Sequence, residues 1–195
     1  MSTVQVFAGP NGSGKSTVTG EIAVIGMYIN ADEIQRHLQC DALTAAQNAE
    51  KTREYCLANR MDFTMETVLS TPRNVNLLRR AKEQGYYIIC HFILTRHPDI
   101  NVQRVADRVT RGGHGVPEDK IRSRFGRSLK NLSLLPALCD ELYVFDNSTS
   151  RENGGPSLIV QCVHGKMELH PSPNWDVEML HALMEGRDFL EHRNN

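Results

Sequence analysis

The chain has 195 residues, of which 40% are hydrophobic and 23% charged, and its 22 Lys+Arg against 23 Asp+Glu leave a formal net charge of -1. That apolar fraction excludes a disordered chain, and the length predicts one domain, 1–195, large enough to bury most of its apolar surface. The balanced charge argues against a globally basic nucleic-acid binder.

In chain order, strand-like and helix-like runs alternate. Val4–Ala8 reads as a short β-rich run ending at a glycine loop. Lys15 to about Val24 reads as a helix, and Ile25–Asn30 as a second strand. Helices are expected over Asp32–Leu38 and Leu43–Asn59, then a strand over Met61–Glu66. Pro72–Gln84 has proline at its start and Gly85 just past its end, the asymmetry expected of a helix. Tyr86–Thr95 is the longest strand-like run, and helices opening on proline follow at Pro98–Arg111 and Pro117–Asn131. Glu141–Asp146 and Ser157–Val163 read as strands, the second turning through His164-Gly165-Lys166 into Met167–Leu169. Asn147–Pro156 reads as a loop, Asp176–Gly186 as the last helix, and Glu191–Asn195 as a frayed tail. This alternation predicts an α/β fold with a mainly parallel sheet.

Tyr86–Leu94 is the most apolar stretch; it is too short to cross a bilayer and contains His91, so no membrane role is expected. The first ten residues lack a basic region and a long apolar run, so no cleaved signal is expected either. The cysteines, Cys40, Cys56, Cys90, Cys139 and Cys162, are odd in number and contain no C-x-x-C, which points to a reducing, cytoplasmic compartment. No histidine pair has metal-ligand spacing.

The strongest signal is Gly9-Pro10-Asn11-Gly12-Ser13-Gly14-Lys15-Ser16, followed by Thr17, a full match to the phosphate loop (P-loop) G-x-x-x-x-G-K-[ST] between a strand and a helix. Glycines let several N–H groups converge on one anion, and the following helix adds its positive end. Lys15 suits the β- and γ-phosphates, and Ser16 suits Mg²⁺, a hard ion that prefers oxygen. ATP or GTP binding follows, but the motif alone does not separate kinase, ATPase and GTPase. No N-K-x-D segment for a GTPase base is present.

Asp32 follows the second strand, on the ligand-bearing rim of an α/β sheet, where it could accept the proton of an attacking hydroxyl. On spacing alone a helix N-cap explains it equally well. Glu66, at a strand end, could hold a substrate hydroxyl, with Thr67 and Ser70 as further substrate contacts; each also reads as a strand-end acid or turn hydroxyl. Asn147 lies where a turn could sit beside the adenine, or in a plain Asp-Asn-Ser turn.

Residues 96–130 hold nine basic against four acidic side chains, and 140–195 hold four against ten. Arg104, Arg108 and Arg111 share a helical stripe, as do Lys120, Arg124 and Arg127 on the next segment. Joined by Gly112-Gly113-His114-Gly115, they make a cationic lid for a triphosphate. A solvated helix face or an RNA-binding patch are the competing readings.

The ordered set FAGPNGSGKST, INADEIQ, TMETVLS, RGGHGVPEDKIRSRFGRSLKNL and the Asp-Asn-Ser turn resembles the zeta toxin family of P-loop kinases, in its short bacterial branch. The resemblance implies a P-loop kinase-type three-layer α/β sandwich with a helical lid at about 104–130. It implies ATP-dependent (or GTP-dependent) phosphorylation, with Mg²⁺, of a hydroxyl on a small-molecule substrate such as UDP-N-acetylglucosamine or another nucleotide sugar. It also implies an antitoxin protein as partner. Carried over by position, Lys15 and Ser16 match the loop lysine and hydroxyl, Asp32 the catalytic base and Glu66 the substrate-holding glutamate. Arg111 and Arg127 match the phosphate-clamping arginines, with Arg108 and Arg124 as substitutes. An NTP-binding regulatory ATPase and an RNA-associated protein using residues 96–130 are the alternative functions.

Overall fold

A computed structural model describes residues 1–149 and 153–187. The expected frayed tail lies outside the described residues, as do positions 150–152 of the expected loop. Seven strands form one sheet: β1 (Thr3–Ala8), β2 (Met27–Ile29), β3 (Phe63–Thr67), β4 (Tyr87–Leu94), β5 (Glu141–Asp146), β6 (Ser157–Val163) and β7 (Lys166–Leu169). Their order is β2-β3-β1-β4-β5-β6-β7. The first five are parallel, and β6 and β7 add antiparallel. This is the α/β fold expected from the alternation of elements.

The helices are α1 (Lys15–Thr19), α2 (Ala31–Leu38), α3 (Ala42–Ala58), α4 (Pro72–Glu83), α5 (Pro98–Thr110), α6 (Glu118–Leu132) and α7 (Val177–Glu185). Strands β1 and β4 are buried along most of their length, polar Gln5 and His91 included, because helices cover both faces of the parallel sheet. Val4, Val6, Ile88, Cys90, Phe92 and Leu94 are all sealed from solvent. Each large apolar side chain so buried contributes about 1.5–3 kcal/mol.

Two expectations are corrected. Helix α1 ends at Thr19, well short of Val24. Gly20 caps it, and the backbone beyond is captured from below: Gln5 Nε2 donates to Ala23 O at 3.2 Å, and Ile25 N donates to Thr64 Oγ1 at 2.8 Å. These bonds hold residues 23–25 out of a helix and leave β2 only three residues. The second is β2, expected over Ile25–Asn30 and found over Met27–Ile29; a short 3₁₀ turn at Leu135–Ala137 has no counterpart among the expected elements.

Parallel pairing puts the C-terminal ends of β1, β2, β3, β4 and β5 on one rim, the side where open α/β sheets bind ligands. The loops that leave this rim carry Gly9–Gly14, Asn30–Asp32, Val68–Ser70, Thr95 and Asn147.

Candidate active site

The loop from Gly9 to Gly14 wraps between β1 and α1. Gly9 sits at φ 142 and Gly14 at φ 89. A Cβ on Gly9 would overlap the Ile93 carbonyl oxygen, and one on Gly14 would overlap Asn147 Nδ2, so both positions require glycine twice over. Lys15 Nζ donates to the carbonyls of Gly9 and Pro10 at 2.8 and 3.1 Å, crossing the loop. Burial pulls the Lys15 pKa down to about 8, against the raising pull of Glu66 and Asp32. Ser16 is exposed at the start of α1, while Ser13 is fully buried.

The loop is anchored from behind by groups the motif does not contain. Asn101 Nδ2, on α5, donates to Asn11 O at 2.6 Å, and its own Oδ1 accepts from Thr95 Oγ1. Asn147 Nδ2 donates to Ser13 O at 2.7 Å. Asn147 therefore supports the loop and does not line the cavity in front of it. Asn101 belongs to no motif, although a fully buried Asn four residues before the buried Val105 breaks the apolar face of its helix.

In front of the loop opens a cavity of about 730 Å³. Asn11, Gly12, Gly14, Lys15, Ser16, Asp32, Glu66, Thr67 and Arg108 line it, so about half of the residues singled out in the sequence meet there. Asp32 stands in the first turn of α2, and the cap is Asn30: its Oδ1 accepts from Asp32 N at 2.8 Å and from Glu33 N at 3.4 Å. The capping duty that could have accounted for Asp32 is performed two residues earlier. Its carboxylate makes no hydrogen bond among the described residues and faces the cavity.

Glu66 is held in place. Its Oε1 accepts from Tyr28 OH at 2.6 Å and Thr19 Oγ1 at 3.1 Å. Asn30 Nδ2 donates to Tyr28 OH at 3.1 Å, linking the α2 cap to this carboxylate. Burial and the contact with Glu66 raise the Tyr28 pKa, although the bond from Asn30 opposes them, so the phenol stays a neutral donor. Thr67 Oγ1 accepts from Leu69 N at 2.9 Å and Asn74 Nδ2 at 2.6 Å and serves its own turn. Ser70 lies on that turn but not on the cavity. Tyr28 and Thr19 belong to no motif, and Asn30 only to INADEIQ; the Tyr-x-Asn spacing before Asp32 signals Tyr28 and Asn30, and nothing local signals Thr19.

The arginines distribute unevenly. Arg108 lines the cavity, and Arg124 Nη1 reaches Asn11 Oδ1 at 3.4 Å. Arg104 also lines it, donating from Nη1 to Asn147 O at 2.8 Å. Arg111 caps the end of α5 and lines a smaller adjoining cavity of about 420 Å³ with Arg104, Asp107, Arg108 and Gly113. Arg127, exposed three residues beyond Arg124, lines neither. The structure thus brings the two substitutes, Arg108 and Arg124, nearest the loop, one helical turn short of Arg111 and Arg127. Arg122 is already neutralised by Asp99 at 2.6 Å and Glu118 at 2.8 Å, which weakens the segment as a nucleic-acid surface.

The donors Ser16, Asp32 and Glu66 are all oxygens, suited to Mg²⁺. Among the described residues no three His, Cys, Asp or Glu side chains converge as a metal site, so a metal would be held largely by phosphate oxygens and water.

The family model described as zeta toxin matches residues 30–152. The chain belongs to the zeta toxin family. A Haemophilus influenzae relative, an uncharacterized protein, is 28% identical over 125 residues, 61% of this chain and 89% of its own. Among solved structures, AvrRxo1-ORF1 in complex with AvrRxo1-ORF2 superposes with TM-score 0.67 at 12% identity, over 97% of this chain and 66% of that one. The same complex with ATP gives 0.69 at 13% identity, over 97% and 65%. This chain therefore spans just under two thirds of those chains. The PezAT toxin–antitoxin system of Streptococcus pneumoniae gives 0.50 at 15% identity, over 95% and 86%. At these identities the structures establish a shared fold. No helix among the described residues is long and apolar enough to cross a membrane.

Proposed function

We propose that this zeta toxin family member transfers the γ-phosphoryl group of ATP to a hydroxyl of a small metabolite. UDP-N-acetylglucosamine, or another nucleotide sugar, is the first acceptor to test. One observation carries the reading: Asp32, relieved of capping by Asn30, presents an unengaged carboxylate to the same cavity as Lys15 and Ser16.

The chemistry then assigns itself by position. Lys15 and the loop amides hold the β- and γ-phosphates. Mg²⁺, held through Ser16, would spread the charge of their oxygens. Asp32 accepts the acceptor's proton as the new O–P bond forms and the β–γ bridging bond breaks, leaving ADP. Glu66, fixed by Tyr28 and Thr19, orients the acceptor. Arg108 and Arg124 lie where guanidinium groups would offset charge on the transferring phosphoryl. A partner protein that covers the cavity belongs to the same proposal, since the AvrRxo1 and PezAT structures describe paired proteins.

The test incubates the protein with ATP, Mg²⁺ and a bacterial metabolite extract, followed by mass spectrometry. A metabolite heavier by one phosphate should appear with wild type and be absent with Lys15→Ala and with Asp32→Asn. Phosphorylation that survives Asp32→Asn at the wild-type rate removes the assigned base. Lys15-dependent ATP turnover that no acceptor accelerates favours a plain ATPase.

A further inference from the structure

The cavity holds a buried cation remote in sequence from the phosphate loop and its lid. Arg53 lies on α3 and is only 8% exposed. The buried face of α3 runs Ala45, Ala49, Arg53, Cys56, so an arginine occupies a helical position that the pattern reserves for an apolar side chain. With Ala46 and Ala49, whose small side chains leave room beside it, Arg53 lines the cavity.

Among the described residues the guanidinium has no contact partner. Its Nε is sealed from solvent without a hydrogen bond, and among the described residues no hydrogen bond or ion pair reaches the group. The obvious counter-charges are engaged elsewhere. Arg73 Nη1 bonds Glu50 Oε2 at 2.7 Å, and Arg80 grips both oxygens of Glu54 at 2.5 and 2.9 Å. Burial lowers the Arg53 pKa, and the attraction of Glu50 and Glu54 opposes that pull. A cation buried without a contact partner is costly, and evicting it to solvent would be simple for so long a side chain. Facing a cavity, it suits a ligand that supplies the missing negative charge. A guanidinium bonds two oxygens of one oxyanion at once, which matches phosphate.

We infer that Arg53 determines acceptor specificity by binding a phosphate or diphosphate group that the acceptor carries. This rests on the phosphotransferase reading. The nucleotide's own phosphates are held at Lys15 on the loop, whereas Arg53 belongs to the α2–α3 wall that also carries Asp32. An acceptor anchored at Arg53 would therefore bring its hydroxyl toward Asp32.

The test fills the loop first with Mg²⁺ and the β,γ-imido analogue of ATP. Inorganic phosphate, for a monophosphate ester, and pyrophosphate, for a diphosphate, are then titrated calorimetrically. Wild type should show a second saturable anion site. Arg53→Gln should weaken it at least about tenfold, as loss of a charge-assisted bidentate contact requires. Arg53→Lys should restore part of it, and analogue affinity should not change. The melting temperature of Arg53→Gln should not fall, whereas a merely structural arginine would lower it. Should the variants not fold, phenylglyoxal labelling of wild type mapped by mass spectrometry reads the same site, with protection of Arg53 by pyrophosphate. A wild type with no second anion site, or Arg53→Gln binding as wild type does, overturns the inference. Failure of the analogue to bind wild type is a different result: it removes the phosphotransferase reading, and the labelling experiment still decides Arg53.

Discussion

Asn147 separates two accounts of nucleotide binding. The sequence offers a turn beside the adenine or a plain Asp-Asn-Ser turn; the structure turns its amide toward the back of the phosphate loop. It is 6% exposed and donates from Nδ2 to Ser13 O at 2.7 Å. Its backbone bonds, to Leu94 O at 2.8 Å and from Arg104 Nη1 at 2.8 Å, do not need the side chain. Asn147→Ala therefore removes one buried donor and leaves one buried carbonyl short, at a cost of about 1–3 kcal/mol. Ser13 lies between Gly12 and Gly14, so the slack enters the peptides whose N–H groups would face phosphate. If the whole cost falls on the bound state, affinity drops by about 5- to 150-fold. Calorimetry should find equal losses for Mg²⁺–ATP and for Mg²⁺–tripolyphosphate, since the loop contacts phosphates alone. A base contact would weaken ATP and spare tripolyphosphate. Wild-type tripolyphosphate affinity in Asn147→Ala refutes the loop-anchoring argument.

Three further outcomes are expected. Asp32→Asn should lower the rate of acceptor phosphorylation by about 10²- to 10⁴-fold, the usual worth of a general base, with ATP affinity changed far less; single-turnover kinetics checks this. Gly9→Ala should abolish nucleotide binding or folding, because its Cβ meets the Ile93 carbonyl at φ 142; circular dichroism beside calorimetry tells which. His91 stacks on Phe7 at 5.0 Å and on Tyr143 at 5.5 Å, and burial, opposed by Glu141, depresses its pKa to about 4. The unfolded chain then takes up a proton between pH 6.5 and about 4 that the folded chain refuses, so stability falls with pH across that window by up to about 3 kcal/mol. His91→Phe should flatten that part of the urea-unfolding pH profile, and an unchanged slope would show that other groups set it.

How far the sequence could be read depended on how local each signal is. The phosphate loop depends on consecutive residues, and its motif states its own geometry. Asp32 was ambiguous because an acid in a first helical turn is common; only the side-chain bonds of Asn30 decide who caps. The arginine stripes emerge from helical spacing, but spacing does not say which turn of α5 reaches the loop. That depends on how α5 sits on the rim, with Asn101 bonded to Asn11. The short α1 depends on Gln5 and Thr64, strand residues whose bonds to residues 23–25 no local window contains. Arg53 was legible in principle, as a charge on the apolar face of α3, but the fate of Glu50 and Glu54 is tertiary information.

The charge segregation has a physical origin in who partners whom. Many acids of the C-terminal third accept from neutral donors. Asp140 Oδ2 accepts from Ile88 N at 2.8 Å, and Glu141 from the hydroxyls of Tyr87 and Tyr143 at 2.7 and 2.6 Å. Asp146 Oδ2 accepts from Asn174 Nδ2 at 3.0 Å, and Asp176 caps α7 through Met179 N at 2.8 Å. Acids satisfied this way are not in contact ion pairs with the arginines, and the cations of the rim keep their field. Lys15, Arg36, Arg53, Arg104 and Arg108 line one cavity together with Asp32, Glu33 and Glu66. A polyanion is attracted to that concentration of positive charge even though the chain as a whole is at -1, because a cleft between low-dielectric walls focuses local charge more than net charge.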